Sequence, residues 1–144
     1  FPPGSFRIIP TDYGEIKIHA DNNFYQKRFL MYENIQRKVN LTNHVSYITL
    51  LQKPLTGGNL IIYNIEHEEY EEITNDLYLI NKKTGKAKNY TQFDFDEIKV
   101  EEGDLTVFSG GQLWHAVNKA GGEIERITYG GFSAYSHDKK TIYL

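Results

Sequence analysis

His19, Asp21, His115 and Arg126 are the residues of this chain whose types and spacing could do chemistry. Two imidazoles and one carboxylate form the set that caps one face of an octahedral iron(II) ion and leaves the opposite face open for substrate chelation and oxygen. Arg126 follows the second histidine closely in the chain. It adds a planar cation that can hold a carboxylate through two parallel hydrogen bonds. If the four converge, they predict a redox centre that works with an α-keto acid.

The elements that must position them can be read from local pattern. In a β-strand, residues i and i+2 share a face, so a strand through 14–21 would put Lys17, His19 and Asp21 on one side and Ile16, Ile18 and Ala20 on the other. The second side is apolar and has to be covered by another layer. His115 sits in 103–117 (GDLTVFSGGQLWHAV), which predicts a strand, a Gly-rich turn and a second strand beginning with the histidine, a hairpin facing into a sandwich. Arg126 and Thr128 repeat the i, i+2 spacing, placing a guanidinium and a hydroxyl on one face.

These segments carry a family resemblance. Residues 15–24 (EIKIHADNNF), 45–66 (VSYITLLQKPLTGGNLIIYNIE), 103–117 and 126–136 (RITYGGFSAYS) resemble the catalytic core of the Fe(II)/2-oxoglutarate-dependent oxygenases. Within that superfamily the chain is most similar to the hapalindole and welwitindolinone-type nonheme iron group. The resemblance implies a mainly β fold, a double-stranded β-helix or jelly roll with a helical or irregular lid insertion. It implies His19, Asp21 and His115 as metal ligands, and Arg126 and Thr128 as the seat of the cosubstrate's far carboxylate. Fe(II), 2-oxoglutarate and O2 would be the cofactors, succinate and carbon dioxide the by-products, and the enzyme an oxidoreductase of the dioxygenase class.

Halogenating members of that group carry glycine or alanine where this chain has Asp21, which frees a coordination position for chloride. A carboxylate there implies hydroxylation of an aliphatic C–H in a small molecule, amino-acid-derived or a natural product. The prolyl-hydroxylase branch has a tyrosine three residues before the first histidine, and here that position is Ile16. Tyr47 is a candidate cosubstrate contact, and Phe132, two strand steps beyond Thr128, a candidate wall of the substrate pocket.

Composition sets the outer bounds. At 144 residues a single domain over 1–144 is expected, large enough for a core. A net charge of −3 with both signs mixed gives no basic footprint for nucleic acid. No apolar run approaches the roughly 20 residues of a membrane span, and the absence of cysteine fits a cytoplasmic setting. Relatives of this fold carry upstream helices, so the Ile16/Ile18 face is expected to meet either an upstream region or a second chain. Further expectations are a lid over 22–43, a hairpin joining 45–52 to 60–63, and solvated loop positions for His44, His67 and His137. The acidic run 66–72 and Asp104 read as solvated face and turn. Two other classes share the pattern in part: a cupin-type metalloenzyme without a keto acid, and a non-catalytic β-sandwich binding module. The cupin reading gives no role to Arg126 and Thr128.

Overall fold

The structure, a computed structural model, describes residues 4–11, 14–22, 33–72 and 78–143, with Asn43 and Glu72 as backbone alone. Two antiparallel sheets face each other. The larger contains β1 (Ser5–Ile9), β11 (Arg126–Ser136), β3 (Val39–Gln52) and β9 (Leu105–Phe108) in that order, with β12 (Ile142–Tyr143) paired to β11. The smaller has the order β2 (Ile16–His19), β10 (Leu113–Val117), β4 (Leu60–Glu66) and β8 (Phe95–Ile98). A third sheet of β5 (Tyr70–Glu72), β6 (Tyr78–Asn81) and β7 (Ala87–Asn89) is followed by a 3-10 turn at Tyr90–Gln92. The chain is thus mainly β, with the jelly-roll arrangement the sequence implied.

Alternation along the small sheet does two jobs. On β10, Trp114 and Ala116 point outward into a buried cluster with Ile18, Ala20, Ile61, Tyr63, Ile65, Leu79 and Phe93. His115 and Val117, on the opposite face, line the space between the sheets. Leu79 and Phe93 come from the third sheet and the segment after it, so that layer is what covers the outer face of the small sheet. Trp114 is fully buried, and truncating a buried aromatic of this kind costs about 3–5 kcal/mol. The same strand therefore locks the ring that follows it.

The Ile16/Ile18 expectation is corrected here. Ile18 is buried in the cluster just described, while Ile16 packs with Ile9, Val117 and Ala120 on the cavity side. The cause is an extra residue in β2: His19 pairs with His115, yet Ile16 pairs with Val117, so three steps on one strand match two on the other. Such a bulge reverses the facing of what lies beyond it. Among the described residues, Phe6, Ile8, Leu51, Leu105 and Val107 stand exposed on the outer face of the large sheet.

Two expected hairpins are corners between sheets. β3 ends in the large sheet and β4 begins in the small one; likewise β9 and β10 belong to different sheets. His115 is the third residue of β10, which starts at Leu113. The turn residues are those of a hairpin, but the chain uses them to cross the sandwich. At the first corner Gly57 and Gly58 take φ of 64° and 71°, which side chains resist. β3 also starts at Val39, so the expected lid shrinks to 22–38; residues 33–38 form turns and 23–32 lie outside the described residues.

Candidate metal centre

Three donors converge between the sheets. His19 closes β2, Asp21 follows two residues later, and His115 lies opposite His19 in the ladder. Nε2 of His19 is 3.8 Å from Asp21 Oδ1, and Nε2 of His115 is 3.7 Å from the same oxygen. All three donor atoms lie within 4.8 Å of one another. Adjacent ligands about 2.1 Å from a shared ion stand on the order of 3 Å apart, so a divalent ion would need to draw these groups together only slightly.

The hydrogen bonds set the rings for that role. Nδ1 of His19 lies 2.7 Å from the Lys17 carbonyl, and Nδ1 of His115 lies 3.0 Å from that of Leu113. A carbonyl only accepts, so each Nδ1 carries a proton and each ring turns its Nε2 edge toward Asp21. On the carboxylate, Ser46 donates to Oδ2 and leaves Oδ1 facing the imidazoles. Three donor atoms of these types set this close form a cation site by their chemistry.

Burial keeps the second histidine unprotonated and so free to ligate. Desolvation, reinforced by His19 and opposed by Asp21, pushes the His115 imidazole down to about 4. In an unfolded chain it would titrate near 6.5. As pH falls through 6.5 the unfolded chain takes up a proton that the folded ring refuses, so stability declines until about pH 4 and levels off below it. In that window the slope approaches about 1.4 kcal/mol per pH unit for this group. Thermal unfolding of the metal-free chain between pH 7.5 and 4.5 should show the decline; a flat profile would contradict it.

Sequence reading missed two residues here. Ser46 stands on the inward face of β3, and the signal was a hydroxyl at an inward strand position otherwise flanked by Ile48 and Leu50. Gly110, in the corner before β10, accepts from the Asp21 amide at 2.9 Å. A Cβ built on it would overlap both Ser46 Oγ and Asp21 Oδ2. Gly110→Ala should displace the carboxylate and cost about 1–3 kcal/mol as overpacking. Calorimetric titration with Fe(II) or Zn(II) under anaerobic conditions should show weakened binding, and unchanged affinity would show that the contact is dispensable.

The cavity lined by these donors has a volume of about 260 Å³ and continues along β11 to a cationic end. Arg126 is 2 % exposed, and its Nε donates to the Gly58 carbonyl at 2.7 Å. Thr128 is buried on the same face. No carboxylate among the described residues pairs with Arg126. Burial, with Arg7 nearby, lowers its pKa to about 10, which still leaves it charged at neutral pH. Arg7, the cross-strand partner of Thr128, also lines the cavity and escaped the sequence reading. A buried guanidinium without a counter-ion is costly unless an anion arrives.

Tyr47 borders the same cavity, but it pairs with exposed Val107 and its phenol, pushed up mainly by burial, also feels Tyr129. Directly paired residues share a face, so its ring belongs to the outer side of the large sheet, away from Arg126. Phe132 lines the cavity on the side of β11 shared with Thr128. His44 and His67 are buried rather than solvated, at 6 % and 7 % exposure, whereas His137 is exposed.

A family comparison covers the whole length of the chain. The profile described as "Carrier-protein-independent halogenase WelO5" matches residues 1–144. The chain belongs to the WelO5 family. That places it among the nonheme iron, 2-oxoglutarate-type oxygenases and halogenases and makes it an oxidoreductase by family. WelO5-family membership suggests Fe(II) and 2-oxoglutarate dependence, and the His19, Asp21 and His115 cluster offers a place for the metal. A search of curated proteins finds no match. No helix among the described residues is long and apolar enough to cross a membrane.

Proposed function

We propose that this chain is an Fe(II)/2-oxoglutarate-dependent dioxygenase that hydroxylates an aliphatic C–H of a small molecule, amino-acid-derived or a natural product, releasing succinate and carbon dioxide. The observation that carries the reading is the position of Asp21, with Oδ1 3.7 and 3.8 Å from the two imidazoles and Oδ2 held by Ser46. In this reading the carboxylate takes the coordination position that the halogenating relatives leave to chloride.

His19, Asp21 and His115 would hold the iron, and Arg126 with Thr128 would receive the far carboxylate of the keto acid. The iron and keto acid supply the oxidising chemistry when bound. This chain's residues orient and exclude water. His115 at 4 % exposure and Asp21 at 4 % sit where solvent is scarce, which strengthens each electrostatic contact. Phe108 meets the His115 ring edge-on at 4.9 Å and limits its rotation. The small-molecule substrate would enter beside the metal at the Phe132 end of the cavity. A cytoplasmic location belongs to the same reading.

Anaerobic addition of Fe(II) and 2-oxoglutarate should produce a visible metal-to-ligand charge-transfer band. Air should then give succinate in step with an oxygenated product from a substrate panel. Absence of the band with iron demonstrably bound would overturn the cosubstrate assignment. A chlorinated product from the wild-type chain in chloride buffer would overturn hydroxylation.

A further inference from the structure

His44 is buried at the end of the cavity opposite Arg126, and nothing in the centre just described uses it. It pairs with Ala134 across β3 and β11, while Arg126 lies eight residues back along β11. Its surroundings are apolar: Leu41 and Ala134 form a cluster with Val39, Ile35 and Tyr143, and Phe132 lies 6.1 Å from the imidazole, centroid to centroid. Five of these neighbours, Ile35, Leu41, Phe132, Ala134 and Tyr143, line the same cavity as His44. Asp21 is the sole acidic residue among the described lining residues, and it belongs to the metal centre. Its charge nevertheless reaches the His44 ring.

Nδ1 of His44 is sealed in without a hydrogen-bond partner. A proton there would strand a buried donor, and orphaned N–H groups are rarer in folded proteins than under-satisfied acceptors. The proton therefore resides on Nε2, and the ring meets the cavity through that edge.

We propose that His44 is a substrate-positioning residue whose Nε2–H donates a hydrogen bond to an uncharged oxygen acceptor on the substrate. That bond fixes which carbon lies over the metal centre while Phe132, Leu41 and Ala134 hold the apolar body. The proposal rests on the reading of this cavity as the site of a small-molecule oxygenase, and it adds the group that selects and orients the substrate. One hydrogen bond of ordinary net strength corresponds to about fivefold in affinity.

The test uses two probes of one shape, 1-indanone and indane, whose binding to the metal-free chain is measured by ligand-observed NMR. The ketone should bind about fivefold more tightly than the hydrocarbon. His44→Phe should erase the ketone preference while leaving indane affinity unchanged or improved. His44→Gln retains an N–H donor and should restore part of the preference, which a merely structural histidine would not allow. Nitrogen-15 shifts of the His44 ring report the tautomer independently of the variants. A ketone preference that survives His44→Phe, a proton on Nδ1, or no binding of either probe at millimolar concentration would each overturn the proposal. Since no metal is present, a missing charge-transfer band would sink the oxygenase reading without altering this result, and the converse also holds.

Discussion

Asp21→Ala will abolish coupled hydroxylation and leave a chain that folds but binds iron weakly. The carboxylate is 4 % exposed and supplies the one acidic donor facing the two imidazoles among the described residues. Outer-shell partners of metal ligands already cost about 10–100-fold in affinity when removed, so loss of a direct donor should exceed about 100-fold. The fold should survive because Ala20 and Ile18, which pack the core beside it, are untouched. Iron titration and succinate release measure the two effects together. Full activity in the variant, with succinate still matched to oxidised substrate, would remove Asp21 from the ligand set.

Asp21→Gly asks a sharper question of the same position. It vacates the space bordered by Ser46 and Gly110, next to two imidazoles that can still hold a divalent ion. With chloride present, a chlorinated product alongside lowered hydroxylation is the expected mass-spectrometric outcome. Its complete absence, with iron retained, would mean that this scaffold needs more than one substitution to accept the anion.

The donors were legible because ligand chemistry and strand period coincide. His-x-Asp places both side chains on one face whenever the local strand is extended, and the flanking Ile18 and Ala20 then face the core. What could not be read was the extra residue in β2 that brings Ile16 to the cavity side, since nothing in the residues 14–18 announces a bulge. The corners at 53–59 and 109–112 failed as hairpins for a related reason. Gly-rich turns specify a reversal, not whether the chain returns to its own sheet or crosses to the facing one. Gly58 turns out to serve the site as well as the turn. A Cβ on Gly58 would lie 3.0 Å from Arg126 Cδ, so the corner is shaped around the arginine far along the chain. His44 was misplaced because β3 begins at Val39, which converts an apparent loop histidine into an inward strand residue. Ser46 and Arg7 were overlooked because their value depends on partners from other strands.

Arg126→Ala should raise the concentration of 2-oxoglutarate needed for half-maximal rate by about 100-fold or more while iron affinity changes little. Truncating one partner of a buried, hydrogen-bonded charge pair costs about 2–5 kcal/mol, and each 1.4 kcal/mol is tenfold in affinity. The guanidinium is buried, its Nε donates to the Gly58 carbonyl, and among the described residues no carboxylate pairs with it. An incoming carboxylate would meet that charge, Thr128 beside it, and Arg7 across the ladder. Metal affinity should be preserved, because Arg126 stands outside the donor cluster. Arg126→Lys keeps the charge but loses the planar fork, so it should recover part of the loss and no more. The keto acid's own length offers a further check: if Arg126 holds the far carboxylate, pyruvate, which lacks that group, should be a poor cosubstrate for the wild type and lose little further in Arg126→Ala. An equal loss for both acids would reassign the arginine to holding the Gly58 corner.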